Sequence, residues 1–351
     1  MTGALDGAAA LVPYFGPLFA TTASSGMSAS VLDSATRELP RCAAAAMVST
    51  LSGHLRAAPG KLCFFKLDSL LRGNAGMELA QVLKQNTYER VIIAPALPGQ
   101  SRITRHTRQY RRHGDEWVLT GEDIAKTLRD NGFSVALGRA GEAAPPGICL
   151  FDAECDRDLD AIAQAGLSRS SPCLWVGSSG LAAALARTSF AATGEAADLA
   201  GPLLGLIGSN HPVMLEQLSR VASNTVMALS EGSPDIVRLM ARDGALFVTS
   251  HLDPGMDRVA ARERIAERFA KMVEYLPPPA LLFVSGGETL RELIIPLGGR
   301  GVEVFGEYEP GAPLSRLVDG VWDGVQVLSK SGAFGGPDFL VTLLNRLKTQ
   351  K

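Results

Sequence analysis

The feature that most constrains the fold is a short, uncharged, hydrophobic run that leads through a turn of small residues into a stretch with helical spacing. This unit recurs along the chain, for example at Leu203–Ile207 and at Leu281–Ser285. Hydrophobic runs without polar alternation are typical of parallel strands that are buried on both faces. Glycine-rich turns suit close strand-to-helix connections, and the chain has 37 glycines. The pattern therefore predicts an α/β fold with mostly parallel sheets flanked by helices.

The length of the chain favours two domains. A chain of 351 residues is long for a single hydrophobic core. The passage 191–201 is polar, rich in alanine and glycine, and without periodicity, which is typical of a linker. We therefore predict a first domain at residues 1–198 and a second at residues 199–351.

Composition limits the partners and the compartment. The formal net charge of −2 gives no reason to expect nucleic acid, because proteins that bind the phosphate backbone are usually basic. The five cysteines include no CxxC pair, which indicates reduced thiols. No run approaches the ~18 hydrophobic residues of a membrane span. The hydrophobic stretch 7–20 lacks the basic start of a secretion signal, since the first basic residue is Arg37. We predict a cytoplasmic protein with no membrane partner.

The segment 66–74, KLDSLLRGN, follows a predicted strand at residues 62–65 and precedes helical spacing at residues 77–83. Ligands of open α/β sheets bind just past the carboxyl ends of strands. Lys66 and Arg72 are suited to bind an anion there, and the arginine fork fits a carboxylate. Asp68 is suited to orient or deprotonate a hydroxyl. The alternative is a loop held by its own salt bridges, since ion-pair networks imitate binding sites.

Three glycine-containing segments in the second half also follow predicted strands. They are Gly208-Ser209, residues 286–289 (Gly-Gly-Glu-Thr) and residues 330–336, which begin with Lys330 and include Gly332. Backbone N–H groups at a helix start bind phosphate, and glycine allows close approach of the backbone. These segments therefore indicate an anion site, although Glu288 is equally compatible with a structural helix cap.

Two charged clusters have a simpler interpretation. The five arginines of residues 102–112 are followed at once by acidic residues, which predicts a solvated loop and strand edge. The carboxylates of residues 152–158 are compatible with a metal site. However, Asp156 and Asp158 fit better as the start and cap of the next helix, where negative charge is favoured.

The KLDSLLRGN segment resembles the KIDSTLRGN signature of the four-carbon acid sugar kinases, which phosphorylate threonate-like and erythronate-like acids with ATP. Other agreements follow in order along the chain: TGAxD at residues 2–6, Asp33 and Arg37 in a D-T-x-S-R pattern, Ser101-Arg102 in place of a Gly-Arg pair, and KSGAFG from Lys330 in place of KSGGFG. Arg37 is predicted in the first turn of an alanine-rich helix. The family motif is DDLTGAxD, and its strand and paired aspartates are missing here. This predicts either a natural start further upstream or a diverged member with altered activity.

The resemblance implies an active site in the interdomain cleft, with the acid on the first domain and ATP on the second. It implies that the acid is held by Asp6, Arg37, Lys66, Asp68, Ser69 and Arg72. It implies that ATP is held by Ser209, Gly286, Gly287, Glu288, Thr289, Lys330 and Gly332. Asp68 is the candidate catalytic base, and Mg²⁺ is expected with ATP while its ligands stay open.

Three further points stay open at this level. A homo-oligomer is compatible with the sequence. The alternative function is a non-catalytic protein that binds a sugar acid and a nucleotide and descends from such a kinase. A dinucleotide-dependent oxidoreductase is disfavoured, because the GxGxxG fingerprint is absent.

Overall fold

The computed structural model describes residues 2–15, 18–22, 31–56, 61–169, 171–189, 198–229, 236–250, 256 and 258–349. The chain forms two compact units. One, which we call the terminal unit, combines Met1–Asp33 with Gly194–Lys351, and the other, the central unit, is Ser34–Thr193. Among the described residues, no helix is long and apolar enough to cross a membrane.

The terminal unit begins with helix α1 (Thr2–Phe15) and strands β1 (Leu18–Thr22) and β2 (Val31–Asp33). The chain then enters the central unit, whose elements are α2 (Arg41–Leu51), β3 (Cys63–Lys66), α3 (Ala75–Gln85), β4 (Arg90–Ala94), β5 (Arg102–Arg105), β6 (Arg108–His113), β7 (Glu116–Leu119), α4 (Ile124–Asp130), β8 (Val135–Gly138), β9 (Gly147–Phe151), α5 (Asp156–Leu167), β10 (Cys173–Gly177) and α6 (Ser179–Ser189).

The central unit contains a parallel sheet in the order β3-β10-β4-β9-β8 and a small antiparallel sheet in the order β5-β6-β7. Its core forms because the buried face of α3, with Leu79 and Val82, covers uncharged strand residues such as Ile93 and Val176. Glycines permit the close contact of β10 with α6. A Cβ at Gly177, the last residue of β10, would lie 2.8 Å from Cδ2 of Leu181 in α6.

The remaining elements return to the terminal unit. They are β11 (Leu203–Ile207), α7 (Pro212–Ser219), β12 (Val226–Leu229), α8 (Ile236–Asp243), β13 (Ala245–Ser250), α9 (Arg258–Val273), β14 (Leu281–Ser285), α10 (Gly287–Ile294), β15 (Gly301–Glu309), β16 (Ala312–Val318), β17 (Gln326–Lys330) and α11 (Phe339–Thr349). Within the described residues, the sheet has the order β12-β13-β11-β14-β17-β16-β15-β1-β2. The five neighbouring strands β12, β13, β11, β14 and β17 are parallel to one another. Strand β16 pairs antiparallel with β17, and β15 pairs antiparallel with β16.

An aromatic cluster holds the core of the terminal unit. The ring of Phe283 on β14 meets that of Phe247 edge to face at 5.9 Å and also packs against Phe339 of α11. Such aromatic pairs contribute about 0.5–1.5 kcal/mol beyond their buried area. The predicted α/β fold with mostly parallel sheets flanked by helices is confirmed.

The compact units differ from the predicted domains 1–198 and 199–351 in where the first 33 residues lie. These residues join the terminal unit because β1 pairs antiparallel with β15, with Leu18 opposite Val304. Helix α1 also packs against β15 and β16. The second junction, between Thr193 and Gly194, falls inside the predicted linker, of which residues 191–197 lie outside the described residues. The predicted cleft between the domains stays a prediction.

Candidate active site

The loop between β3 and α3 is built around the carboxylate of Asp68. Arg72 donates two side-chain bonds to it, from Nε at 2.9 Å and from Nη2 at 2.7 Å. The backbone N–H groups of Leu70 and Arg72 donate to the same carboxylate, at 3.1 and 3.2 Å. Arg37 adds a second guanidinium, with Nη2 at 3.4 Å from Oδ1. Asp68 therefore fixes both the backbone of the loop and two cationic side chains.

These contacts decide the protonation of Asp68. Burial favours the neutral acid, but the hydrogen bonds from Arg72 and the charges of Arg37 and Arg72 outweigh it and hold the pKa of Asp68 well below its ordinary value. A carboxylate with so little affinity for a proton is a weak general base near neutral pH. The geometry therefore supports the alternative interpretation of this segment as a loop held by its own salt bridges. In this role Asp68 anchors the side chains of Arg72 and Arg37.

Arg37 reaches this loop from an unexpected position. The sequence predicts it in a first helical turn, whereas α2 begins only at Arg41 and Arg37 lies in the turn ahead of it. The turn forms because Ala35 adopts a left-handed conformation with φ 55° and Pro40 sets the backbone at the helix start. The loop packs tightly on this turn, since a Cβ at Gly73 would lie 2.9 Å from the Arg37 carbonyl oxygen.

Ser69 and Lys66 occupy the strand end of the same loop. Lys66 is the last residue of β3, and its Nζ donates to the Leu67 carbonyl oxygen at 2.9 Å. Ser69 is buried, and its hydroxyl accepts a hydrogen bond from Nη1 of Arg102 at 2.5 Å. Its carbonyl oxygen accepts from Nε2 of Gln109 at 2.7 Å. The central unit thus brings together all the predicted acid-binding residues except Asp6.

Arg102 and Gln109 were not predicted as site residues. Both come from the small antiparallel sheet, which sequence reasoning treated as a solvated arginine-rich edge. The interpretation holds for other arginines there, since Arg105 binds Glu154 and Arg108 lies 3.3 Å from Asp123. The available signal for Arg102 was its place in the Ser101-Arg102 pair.

The second candidate centre lies at the carboxyl ends of three parallel strands inside the large sheet of the terminal unit. Strands β11, β14 and β17 are parallel neighbours, with Ile207 opposite Ser285 and Ser285 opposite Lys330. The three glycine-containing segments, which are far apart in sequence, therefore begin side by side. The Gly208 N–H donates to the Ser285 carbonyl oxygen at 2.9 Å, and the Gly286 N–H donates to that of Lys330 at 3.0 Å.

Glycine is required where these segments touch. A Cβ at Gly208 would overlap the hydroxyl of Thr289 in α10, and a Cβ at Gly332 would lie 2.6 Å from Cβ of Ser209. Gly286 has φ 117° immediately before the first turn of α10, a conformation that other residues rarely adopt. The glycines therefore leave backbone groups without covering side chains next to the N-terminus of α10. Such an arrangement is suited to bind phosphate.

Two charged residues predicted for ATP have structural contacts in this centre. Glu288 forms an ion pair with Arg291 one turn later in α10. Lys330 is fully buried, its Nζ donates to the Phe334 carbonyl oxygen at 2.9 Å, and it lies 5.3 Å from the Phe339 ring centroid. Burial lowers the pKa of Lys330 to about 8, and the charge of Glu309 opposes this. Lys330 therefore stabilises the conformation of the glycine-rich loop by a hydrogen bond to its backbone.

Asp6 lies in α1 and so belongs to the terminal unit, whereas the other predicted acid-binding residues belong to the central unit. It is buried, and its charge acts on Glu307 of β15. Burial raises the pKa of Glu307 to about 7, the hydrogen bond from the Gly311 N–H opposes the rise, and the charge of Asp6 adds to it. The resemblance assigns Asp6 to the acid site through the TGAxD motif, and this assignment stays a prediction.

The carboxylates after β9 have structural roles. Asp152 accepts the backbone N–H groups of His106 and Thr107 in the β5–β6 turn, at 2.7 and 2.8 Å. Asp158 accepts from the N–H of Cys155 at the start of α5. Helix α5 starts at Asp156 as predicted, its N-cap residue is Cys155, and Asp158 caps it from the third helical position by a capping box. Within the described part of the chain, no group of three or more His, Cys, Asp or Glu residues could hold a metal ion.

Comparison with known proteins gives the class of this chain. A family model described as a sugar-binding N-terminal domain matches residues 1–134 and 123–185, and one described as a nucleotide-binding C-terminal domain matches residues 204–340. The chain thus contains the two domains that these family descriptions name, one over most of its first half and one over its second half.

Individual relatives narrow the class. A D-threonate kinase of Bordetella bronchiseptica is 28% identical over 359 aligned positions, which cover 90% of this chain and 85% of the relative. A D-threonate kinase of Cupriavidus necator is 30% identical over 330 positions, which cover 80% and 79%. A solved Salmonella typhimurium structure, described as a putative tRNA synthase, shares the fold with a TM-score of 0.72 at 19% identity, covering 100% of this chain and 97% of that one. The chain belongs to the four-carbon acid sugar kinase family.

Proposed function

We propose that the protein transfers the terminal phosphoryl group of ATP to the terminal hydroxyl of a four-carbon sugar acid of the tetronate or 3-oxo-tetronate type. The observation that carries the proposal is the convergence of Gly208-Ser209, the 286–289 turn and the loop after Lys330 at the carboxyl ends of three adjacent strands. The relatives named D-threonate kinases support the acid as the acceptor.

The nucleotide is bound by the terminal unit in this proposal. Backbone N–H groups at the start of α10 and the glycine edge around Gly208 and Gly332 receive the phosphates, and the helix dipole favours their negative charge. The hydroxyl of Ser209, packed against Gly332, supplies a further donor. Lys330 acts on ATP through the loop that its ammonium holds in place.

The acid is bound by the loop of residues 66–74 in the central unit. Arg37 and Arg72 provide positive charge, and Asp68 keeps both guanidinium groups in a fixed orientation. Phosphoryl transfer depends mainly on positioning and on neutralising charge, so a strong base is not required. Asp68 then contributes as an anchor of the arginines.

Mg²⁺ accompanies ATP in phosphoryl transfer generally. The described residues offer no cluster of metal-ligating side chains for an ion of the protein's own. We therefore assign no protein ligand to Mg²⁺ and derive no step through it.

The test is a kinase assay with purified protein, ATP and Mg²⁺ against the isomers of threonate and erythronate and the 3-oxo-tetronates. We expect acid-dependent release of ADP with one or a few of these acids, and only background release without an acid. Calorimetric binding of an acid and of a nucleotide without any ADP release would instead identify a non-catalytic binding protein. Absence of both binding and turnover would refute the proposal.

A further inference from the structure

The arginines predicted to clamp the acid are already engaged by a carboxylate of the protein. Arg72 directs Nε and Nη2 to Asp68, and Arg37 approaches the same group. An incoming carboxylate would compete with Asp68 for these donors. An arginine that contacts the same loop through a hydroxyl, and not through the carboxylate of Asp68, is therefore a further candidate for binding the acid group.

Arg102 is such a cation. Its Nη1 donates to the hydroxyl of Ser69, which is an oxygen of the acid-binding loop itself. A hydroxyl that accepts from an arginine keeps its own proton to donate elsewhere. Guanidinium and hydroxyl therefore present donors side by side, and the planar arginine fork matches a carboxylate.

The surroundings hold this pair in place. Arg102 exchanges backbone hydrogen bonds with Leu97, at 2.9 Å from the Leu97 N–H and at 3.2 Å back to its carbonyl oxygen. Gln109 holds the Ser69 carbonyl oxygen, and the Gln109 Oε1 is in turn 2.8 Å from the hydroxyl of Thr104. A donor pair whose supports are fixed in advance loses little entropy when it binds a ligand.

We propose that Arg102, together with Ser69, binds the carboxylate of the substrate and sets the preference for an acid over a neutral polyol. The inference rests on the proposed function, because it names how that substrate is recognised. Arg37 and Arg72 then act at longer range as positive charges fixed by Asp68.

The experiment compares wild type with Arg102→Ala, Arg102→Lys and the control Arg111→Ala. Arg111 lies opposite Arg102 on β6 and is exposed, so it matches the charge and the sheet without the bond to Ser69. Binding of threonate and of the four-carbon polyol threitol is measured by calorimetry, and kcat and KM are measured for the acid and for ATP. Thermal melts verify that each variant is folded.

We expect Arg102→Ala to weaken binding of the acid roughly 10- to 100-fold, as for loss of a charge-assisted bond, with KM for ATP unchanged. Arg102→Lys keeps the charge without the fork and should give a smaller loss. Arg111→Ala should behave as wild type, and none of the three should change binding of threitol. If wild type binds the acid and either Arg102 variant binds it equally well, the inference is wrong while the proposed function stands. If wild type neither binds nor phosphorylates any four-carbon acid, both are wrong.

Discussion

Replacing Asp68 by Asn separates an anchor from a catalytic base. Asn keeps the size of the side chain and one acceptor oxygen, but it removes the negative charge that Arg37 and Arg72 share. The change therefore weakens the two bonds from Arg72 and the ion pair with Arg37 while leaving the loop backbone close to its present path.

The two roles predict effects of different size on different constants. Loss of a general base lowers kcat by roughly 10²- to 10⁴-fold. Loss of an anchor acts on the arginines, whose bonds to a charged partner contribute about 1.5–3 kcal/mol. This figure must be reduced here, because the side chains of Arg72 and Arg37 are 51% and 39% exposed. We expect about 1–2 kcal/mol, or a rise of roughly 5- to 30-fold in KM for the acid.

Steady-state kinetics at saturating ATP and over a wide range of acid concentration distinguish these outcomes. We expect Asp68→Asn to raise KM for the acid, to keep kcat within about tenfold and to leave KM for ATP unchanged. A fall in kcat of more than about 100-fold at saturating acid, with KM unchanged, would refute the anchor and restore Asp68 as the base.

The pH dependence of the unfolding free energy gives a second test of the same variant. The pKa of Asp68 is depressed in the folded state, so its contribution is present above the ordinary value of 3.8 and is lost as the pH falls below it. The difference in unfolding free energy between wild type and Asp68→Asn should therefore be constant from pH 5 to 7 and shrink towards pH 2. A difference that does not change with pH would contradict the assigned interaction.

Two further predictions concern the terminal unit. Gly208→Ala places a methyl group against the hydroxyl of Thr289, and because overpacking costs about 1–3 kcal/mol it should weaken nucleotide binding roughly 5- to 150-fold by calorimetry. The control Gly306→Ala, in β15 with open space around it, should bind nucleotide as wild type does; equal affinities of Gly208→Ala and wild type would place the nucleotide elsewhere. Glu307→Gln should stabilise the protein by up to about 3 kcal/mol in denaturant unfolding at pH 8 and by little at pH 5. The sign follows because a carboxyl whose pKa rises from 4.5 to about 7 contributes stability that is lost as the pH rises through 7.

The strands and the glycine-containing turns that follow them could be predicted, because both are encoded by neighbouring residues in the sequence. An uncharged run such as Leu281–Ser285 must be buried on both faces, and a glycine turn directly after it fixes where the next helix starts. Parallel pairing then brings the ends of such strands to one edge. The convergence of the glycine segments follows from these rules without knowledge of any distant contact.

Other parts depend on contacts that a local pattern does not contain. The pairing of Leu18 with Val304 moves the first residues into the terminal unit, and neither residue carries a sign of its partner. The approach of Arg102 to Ser69 has the same cause, since a hairpin formed elsewhere folds back on the loop. The turn ahead of α2 was missed because it needs a left-handed alanine, Ala35, which a pattern of residue types does not predict.

Several charged residues that the sequence predicts as ligand contacts have partners within the protein, and the reason is physical. A loop at a strand end leaves backbone N–H and carbonyl groups unmatched, and these must find partners within the protein. Asp68 accepts such N–H groups in one loop, and the ammonium of Lys330 donates to such a carbonyl oxygen in the other. A charge that supports the loop in this way is less available to a ligand. This agrees with our proposals that the nucleotide binds the backbone around Gly208 and that the acid binds Arg102, which comes from a neighbouring element.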